Sequence, residues 1–502
     1  MKKRVERLRG MHDLLPEAHQ HQRWVIDQLS TFLAHAGYSQ VDTPVLEHSD
    51  LFEASFGQEL WQKLYSFRLH HRDLCLRPEY TASICRLYLD TYQQHALPLR
   101  FQYAGPIFRY ETAGSARHRQ YTQLGVELFG GHPTATDAEI LQLACDMLSE
   151  LHIANYRLEL GHIGVASSFI NRLQLDSHAV RLLLSLMEGI SRSEEGERIA
   201  QDRLEALYPP DPSLEKLAGG AQDGAGSEVQ TRYVSSLLDG ISISFGDDDY
   251  RHEIVERFLW KMGRGEQRRQ VLHALEFLRA LHAVSGPPPV VFDELRDLLE
   301  RYQLDLEPLA ELQRLVTIIE QGGVPGNQIM LNLSLGRSIS YYTGLVFEIH
   351  AQESDGFDTQ LCGGGRYDHL LRAVGSPHDL NACGFAFNTE RLLSLIPNEH
   401  LPLPAVTQAL VVPVSAADLP YALQVARSAR ALGVCTEVDV AEHGVSAGLR
   451  LAAKKQIRLA LIVGEDEQRK GVVTVRDLVT GEEQVANVAA LVRRVQDKEQ
   501  AL

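Results

Sequence analysis

The sequence predicts an α+β protein whose sheet is interrupted by a helical insertion and followed by a small α/β domain. Three observations carry this prediction. Before residue 168, aromatic and β-branched stretches separated by short turns are typical of antiparallel strands. Strand patterns give way to helical ones over 168–323 and then return. After residue 406, apolar strands alternate with helices at the spacing of βαβ units, which indicates a mostly parallel sheet.

The elements of the first region follow from hydrophobic periodicity. A helix is predicted from about Glu17 to Ala36, because apolar residues recur on one of its faces. The stretch LCLRPE has a strand pattern and runs into an apolar helix, TASICRLYLDTY. Next, LRFQYAGPIFRYET predicts an antiparallel hairpin, and a further helix is predicted from Asp137 to Leu151.

Changes in these patterns mark the domain boundaries. The predicted boundaries are 1–167 and 324–398 for the core, 168–323 for the insertion, 399–406 for the linker and 407–502 for the terminal domain. Within the insertion, a stretch rich in Pro, Gly, Ser and charge at 209–228 predicts a mobile loop. No Gly-rich phosphate loop follows the strands of the terminal domain, so a dinucleotide site is not expected there.

Composition narrows the functional classes. The formal net charge is −17, whereas proteins that wrap nucleic acid non-specifically are usually basic. Any RNA binding must therefore come from local basic patches, which favours a selective and transient partner. The six dispersed cysteines have no zinc-ligand spacing. With neither an apolar signal segment nor an apolar run of membrane-spanning length, the sequence predicts a cytoplasmic protein that has no membrane partner.

The stretch FRYETAGSARHRQ gathers residues suited to a triphosphate. Arg109 and Glu111 are two apart on a predicted strand and so share a face, and the following loop carries Arg117 and Arg119. Guanidinium groups give phosphate oxygens fixed bidentate donors and stabilise charge that builds on an α-phosphate during displacement. The carboxylate could orient an arginine or accept from an adenine amino group. Taken alone, the composition favours a charged surface hairpin.

Three segments in order resemble the motifs of class II aminoacyl-tRNA synthetases. GYSQVDTPVLE, with Pro44, resembles the first motif, which serves the dimer interface, so a homodimer through this region is expected. FRYE followed by Arg117 resembles the second motif, and GFAFNTERL, with Arg391, resembles the third, whose arginine faces the γ-phosphate. Each motif alone is degenerate. Together they imply a class II core, in which helices flank an antiparallel sheet that binds ATP and magnesium.

Four further segments resemble histidyl-tRNA synthetases. They are RGMHDLLP at 9–16, RPEYTA at 77–82, RSISYYTGLVFE at 337–348 and GGGRYDHL at 363–370. The resemblance implies an enzyme that activates histidine with ATP and transfers it to tRNA(His). It implies Arg109, Arg337 and Arg391 as catalytic residues, and Arg109, Glu111, Arg117 and Arg391 as the ATP site. In this family, the arginine that matches Arg337 approaches the α-phosphate and the substrate carboxylate.

The same resemblance implies a histidine pocket. Its candidate residues are Glu79, Thr81, Gln123, Glu127, Arg337, Tyr341, Tyr342 and Tyr367. Glu79 would take the ammonium group and Gln123 would lie on the carboxylate side. A neutral imidazole needs one acceptor and one donor for its two nitrogens, and Glu127 and Tyr342 are the candidates. For each tyrosine taken separately, a half-buried sheet aromatic is the alternative.

The terminal domain resembles the anticodon-binding domain of class IIa synthetases, which implies a tRNA partner. Arg450, Lys454 and Lys455 are candidate contacts to phosphates or bases. Ordinary solvated charge is the alternative reading of these residues, because acidic residues in the same domain are about as numerous.

Departures from the family pattern keep two other functions open. Residues 338–340 read Ser-Ile-Ser where Gly-Leu-Asp is usual, so a carboxylate beside the substrate is missing. Asn388 and Thr389 stand where glycine is usual and add side chains near the nucleotide. One alternative is the paralogue that regulates ATP phosphoribosyltransferase and binds its catalytic subunit, although this paralogue generally lacks the terminal domain. The other is a histidine-activating enzyme with a non-tRNA acceptor.

Overall fold

The chain divides into two units, Met1–Leu401 and Pro402–Leu502. The computed structural model describes residues 5–53, 63–110, 118–175, 268–335, 341–353, 356–403, 407–441 and 444–487, with isolated positions between 179 and 202. The predicted mobile loop at 209–228 lies outside the described residues. The predicted limits of the insertion and the linker stay predictions.

The first unit contains twelve described strands and nine described α-helices with defined bounds. The strands are β1 (Ser39–Gln40), β2 (Leu46–His48), β3 (Ser66–Leu69), β4 (Arg72–Leu76), β5 (Leu99–Phe108), β6 (Gln120–Phe129), β7 (Arg157–His162), β8 (Ser285–Gly286), β9 (Ile329–Asn332), β10 (Leu345–Gln352), β11 (Asp358–Arg366) and β12 (Ala382–Asn388). The helices are α1 (Pro16–His35), α2 (Asp50–Glu53), α3 (Thr81–Leu87), α4 (Pro133–Glu150), α5 (Ile163–Arg172), α6 (Pro288–Arg301), α7 (Glu307–Gln321), α8 (Leu370–Ala373) and α9 (Thr389–Leu393). Residues 268–283 are also helical.

Nine of these strands form one sheet in the order β1-β5-β6-β12-β11-β10-β7-β9-β8. Neighbouring strands are antiparallel except for the β1–β5 and β7–β9 pairs. An antiparallel hairpin is present, since β5 and β6 pair from Leu99 opposite Phe129 to Phe108 opposite Gln120. The stretch LRFQYAGPIFRYET supplies only its first strand, which ends at Phe108, so the prediction that Arg109 lies on a strand was wrong. Strand β8 belongs to this sheet although it falls inside the stretch predicted as the insertion.

The two faces of the sheet pack differently, because successive strand residues point to opposite sides. On β6, Leu124 and Val126 face the largest hydrophobic core, which includes buried residues of α1 and α4. We call this side the helix face. The alternate residues Gln123, Gly125 and Glu127 point the other way, toward a separate cluster of buried aromatics. We call that side the pocket face.

Helix α1 shows how the sequence specifies this packing. It begins with Pro16 in its first turn, where the missing N–H has no intrahelical partner to lose, and it buries Val25, Leu29 and Leu33. The prediction of a helix from about Glu17 to Ala36 is therefore confirmed. The predicted helix from Asp137 is also confirmed, although it begins earlier, at Pro133. No helix within the described ranges is long and apolar enough to cross a bilayer.

The second unit is a small α/β layer, as predicted. Its elements are β13 (Ala409–Pro413), α10 (Leu419–Ala431), β14 (Thr436–Val438), α11 (Val445–Lys454), β15 (Leu459–Val463), α12 (Glu465–Lys470), β16 (Val473–Asp477) and β17 (Glu483–Ala486). The strand order is β14-β13-β15-β16-β17. The β14–β13 and β13–β15 pairs are parallel, whereas β15–β16 and β16–β17 are antiparallel. The prediction of a mostly parallel sheet missed the final hairpin, formed by β16 and β17. The turn of this hairpin contains Gly481 at φ 76°.

Candidate active site

A buried carboxyl group lies at the centre of the pocket face. Glu127 of β6 is 1% exposed, and its Oε1 accepts hydrogen bonds from the hydroxyls of Thr81 at 2.7 Å and Tyr103 at 3.3 Å. Its Oε2 accepts from the Tyr367 hydroxyl. Burial raises the pKa of Glu127 to about 8, against the opposing effect of these hydroxyls. A carboxyl group with this pKa changes charge readily near neutral pH.

A second carboxylate is fixed at the start of α3. The oxygens of Glu79 accept the backbone N–H groups of Thr81 and Ala82, both at 2.9 Å, which satisfies donors that the helix leaves free. Burial raises the pKa of Glu79, while these backbone bonds and the nearby Arg109 guanidinium act in the opposite direction. The Tyr341 hydroxyl lies 3.5 Å from Glu79 Oε2. Four predicted site residues therefore lie close together here, namely Glu79, Thr81, Arg109 and Tyr341.

The predicted tyrosines line the same cluster. The ring centroid of Tyr341 lies 5.0 Å from that of Tyr342 and 5.7 Å from that of Tyr367. Burial raises the pKa of the Tyr341 and Tyr367 hydroxyls well above the ordinary value. Both hydroxyls consequently keep their protons at neutral pH and remain hydrogen-bond donors.

Glycines let the strands approach this carboxyl group closely. A Cβ on Gly384 of β12 would collide with Glu127 Oε2 and with the Val126 carbonyl oxygen. A Cβ on Gly125 would lie 2.6 Å from the Tyr103 hydroxyl. Beside them, the buried Gln123 Oε1 has no hydrogen-bond partner among the described residues. A buried acceptor left unpaired costs about 1–3 kcal/mol, so this atom is a candidate contact for a ligand donor.

Two arginines lie at one end of the sheet. Arg109 directly follows β5, and its Nε donates to the Pro78 carbonyl at 2.8 Å. Arg391 lies in the first turn of α9, directly after β12, and its guanidinium donates to the Gln360 carbonyl at 2.5 Å. The end of β5 pairs with the start of β6, and the end of β12 pairs with Gln123 of β6. The register therefore brings Arg109 and Arg391 to the same end of these strands, which we call the arginine edge.

The residues that replace the usual glycines take part in local structure. Asn388 caps α9 by accepting the Arg391 backbone N–H at 3.1 Å. Thr389 is completely buried on the helix face, where Gln22 of α1 donates to its hydroxyl at 3.4 Å. Thr389 is the first residue of α9, and its side chain packs against α1 on the helix face, which is opposite to the expectation that it adds bulk near the nucleotide.

An aromatic and cationic stack supports the pocket and was missed from the sequence. The Tyr80 ring stacks on the Tyr103 ring with centroids 4.3 Å apart, and the Arg77 guanidinium lies 3.9 Å from the Tyr80 centroid. Arg77 is itself buried and donates to Asp42 Oδ1 at 3.1 Å. Tyr80 thus holds Tyr103 against Glu127.

Several predicted residues cannot be placed. Glu111, Arg117, Arg337 and the Ser-Ile-Ser stretch at 338–340 lie outside the described residues. Of the three candidate tRNA contacts, Arg450 and Lys454 lie in α11 and Lys455 directly follows it. There, Lys455 pairs with the Glu437 carboxylate, and Arg450 Nε donates to the Ser446 carbonyl at 3.2 Å. Within the described ranges, no group of three or more His, Cys, Asp or Glu side chains could hold a metal ion.

Comparison with known proteins identifies the family. A family model described as histidyl-tRNA synthetase matches residues 10–219 and 260–392, and a model described as anticodon binding domain matches 408–498. The sheet, the pocket and the terminal domain together define a class II aminoacyl-tRNA synthetase fold. Because the first match covers well over half of its length, the chain belongs to the histidyl-tRNA synthetase family.

Relatives align over nearly the whole chain. The histidine–tRNA ligase of Pyrococcus furiosus is 28% identical over 97% of this chain and 98% of its own, and that of Methanocaldococcus jannaschii is 27% identical over 96% and 97%. The Staphylococcus aureus histidyl-tRNA synthetase structure matches with a TM-score of 0.61 at 21% identity, covering 98% of this chain and 99% of that one. A Bacillus halodurans ATP phosphoribosyltransferase regulatory subunit/histidyl-tRNA synthetase matches with a TM-score of 0.60 at 22% identity, covering 92% and 99%. At these identities, the solved structures support the fold alone.

Proposed function

We propose that this protein is a cytoplasmic histidine–tRNA ligase, which activates histidine with ATP and transfers the histidyl group to tRNA(His). One observation carries the proposal. The buried Glu127 carboxyl group is held by Thr81, Tyr103 and Tyr367 beside a second fixed carboxylate, Glu79. An imidazole and an ammonium group are the two parts of histidine that such a pair of acidic side chains would recognise.

The ring would be bound through both of its nitrogens. Neutral imidazole donates from one nitrogen and accepts at the other. Glu127 would accept the ring N–H, and the Tyr342 hydroxyl would donate to the second nitrogen. Tyr103 and Tyr367 would hold the carboxyl group in place, since both remain hydroxyl donors. An apolar side chain of similar size would leave these buried groups unpaired, which disfavours it strongly.

The remaining groups of histidine would lie toward the arginine end of the pocket. Glu79 would bind the ammonium group. Thr81 would keep the Glu127 carboxyl group close to Glu79, because it donates to both side chains. The unpaired Gln123 Oε1 is an acceptor, so we propose that it also receives an ammonium N–H. Its amide N–H would then serve the carboxylate side.

Activation would join the histidine carboxylate to the α-phosphorus of ATP. In-line attack by a carboxylate oxygen breaks the bond to the β-phosphate and releases pyrophosphate. Arg109, Arg337 and Arg391 would stabilise the negative charge that develops, with Glu111 and Arg117 completing the ATP site. Magnesium would enter with ATP, because in such sites Mg²⁺ is bound by substrate phosphates and water molecules more than by a dedicated protein cage. A ribose hydroxyl of tRNA would then attack the adenylate carbonyl carbon and release AMP.

Histidine-dependent exchange of pyrophosphate into ATP tests the activation step. We expect exchange by the wild type and a loss of about 100-fold or more in Arg337→Ala, since one transition-state donor is removed. Arg296→Ala is the matched control, because Arg296 is an exposed helix arginine paired with Asp293. Unchanged exchange in Arg337→Ala would contradict the role given to Arg337.

Charging of tRNA(His) tests the acceptor. The terminal domain would bind the tRNA, and Arg450, Lys454 and Lys455 are its proposed tRNA contacts. Exchange without charging would indicate a histidine-activating enzyme with another acceptor. Absence of both reactions, together with binding to the catalytic subunit of ATP phosphoribosyltransferase, would indicate a regulatory subunit.

A homodimer through the region of Pro44 completes the proposal. Next to Pro44, the small sheet of β2, β4 and β3 exposes large apolar side chains, with Leu46 at 43%, Phe67 at 45% and Leu69 at 48% exposure. Exposed apolar residues grouped on one element are typical of a protein interface. Sedimentation should show a dimer, and a monomer at working concentrations would contradict this interface.

A further inference from the structure

Residues 9 and 10 are hydrogen-bonded to Arg119, the residue directly before β6. We call residues 7–13 the N-terminal strap. The backbone N–H of Arg119 donates to the Gly10 carbonyl at 2.9 Å, and its guanidinium donates to the Arg9 carbonyl at 3.2 Å. Gly10 has φ 81°, and a Cβ there would lie 2.7 Å from Arg119 Cδ. Only glycine fits this crossing without strain, so the path of the strap is fixed at this point.

The strap brings two imidazoles together. The ring centroids of His12 in the strap and His118 in the hairpin lie 4.3 Å apart, with the ring planes inclined by 39°. His118 directly precedes Arg119, the residue to which the strap is bonded. Burial lowers the pKa of His118, and the His12 ring and the Arg391 guanidinium lower it further. The pair therefore lies within electrostatic range of the arginine proposed to face the γ-phosphate.

Among the described residues, most of the charged side chains around this pair are positive. The strap contributes Arg9, while its Arg7 is paired with Asp13 at 3.0 Å. Arg109 and Arg119 flank the segment between β5 and β6. The Arg119 guanidinium stacks on the Tyr110 ring at 4.1 Å. Helix α9 contributes Arg391 and also Glu390, whose carboxylate accepts the Thr122 backbone N–H at 2.9 and 3.0 Å. The neighbouring Arg391 guanidinium helps to lower the pKa of His118, which favours its neutral imidazole.

We propose that His12 and His118 bind the triphosphate of ATP and take up a proton from solvent as they do so. This inference rests on the proposed function, because it assumes that ATP binds at the Arg109 and Arg391 edge. A polyphosphate brings several negative charges to a region of arginines, and it would reverse the local preference from neutral imidazole to imidazolium. ATP binding should consequently strengthen as the pH falls toward 6.

Titration calorimetry can count the protons directly. Mg·ATP is titrated into the full-length protein at pH of about 7 in two buffers of different ionisation enthalpy, and the heat difference gives the proton uptake. We expect a fraction of one proton, up to about one, for the wild type. His118→Gln and His12→Gln should each take up less. His378→Gln is the matched control, because His378 is an exposed loop histidine, and it should equal the wild type.

Two further comparisons separate the possible outcomes. AMP lacks the β- and γ-phosphates, so the proton uptake that accompanies AMP binding should be smaller than for ATP and equal in all variants. If the wild type, His118→Gln and His12→Gln all take up the same number of protons on ATP binding, this inference is overturned and the proposed function stands. Failure of the wild type to bind ATP would overturn both. If thermal unfolding shows that His118→Gln is damaged, the count for His12→Gln, altered only in the exposed strap, decides the question.

Discussion

The histidine pocket and the arginine edge lie on one sheet but are built differently. In the pocket, Glu127 and Tyr367 are almost completely buried and are held by hydrogen bonds between side chains. At the edge, Arg109 and Arg391 are partly exposed and are oriented by backbone carbonyl groups. The difference matches the two ligands. A small, nearly neutral ring is distinguished only where water is excluded, whereas a polyphosphate carries enough charge to be bound by partly solvated cations.

The largest expected effect is on the pocket. Glu127→Gln replaces an acceptor of three hydroxyl hydrogen bonds by a group with one acceptor oxygen, and leaves an amide N–H facing hydroxyl donors. We expect kcat/KM for histidine in pyrophosphate exchange to fall by about 1,000-fold, while the KM for ATP changes little. Glu150→Gln is the control, since Glu150 is exposed at the end of α4. Loss of ATP and histidine binding to the same degree would remove the distinction between the two regions.

The pocket should also leave a signature in the pH dependence of stability. The pKa of Glu127 is about 8 in the folded protein, and the ordinary value for an unfolded glutamate is about 4.3. Between these values the folded state binds more protons, so the contribution of Glu127 to stability is fully present below pH of about 4.3 and is lost as the pH rises through about 8. Relative to Glu127→Gln, the wild type should lose up to about 1.4 kcal/mol of unfolding free energy per pH unit in this range.

Urea unfolding of both proteins at several pH values measures this loss. The comparison isolates Glu127, because all other titrating groups are common to the two proteins. Parallel stability profiles would show that the Glu127 carboxyl group does not titrate differently in the folded and unfolded states.

How far the sequence predicts the two regions depends on the kind of contact. Arg109 could be singled out from its type and local spacing before the fold was known, whereas Glu79 and Arg391 were candidates because their segments resemble family motifs. The bond from Tyr103 to Glu127 could not be predicted, because it depends on the register of β5 against β6, which sets Phe101 rather than Tyr103 opposite Glu127. The position of Thr389 on the helix face depends likewise on how α9 packs against α1, which a local motif does not contain.

The smallest expected effect is a difference between the two regions in how their ligand KM values depend on ionic strength. Raising KCl from about 0.1 M to about 1 M shortens the screening length from about 10 Å to about 3 Å, which weakens partly exposed charges much more than buried hydrogen bonds. The KM for ATP should rise about fivefold, whereas the KM for histidine should change by less than about twofold. In Arg391→Lys, which keeps the charge but loses the fork, the KM for ATP should be higher throughout and keep the same salt dependence. Equal salt dependence of the two KM values would mean that histidine binding, too, relies on solvated charge, and the contrast between a desolvated pocket and an open cationic edge would not hold.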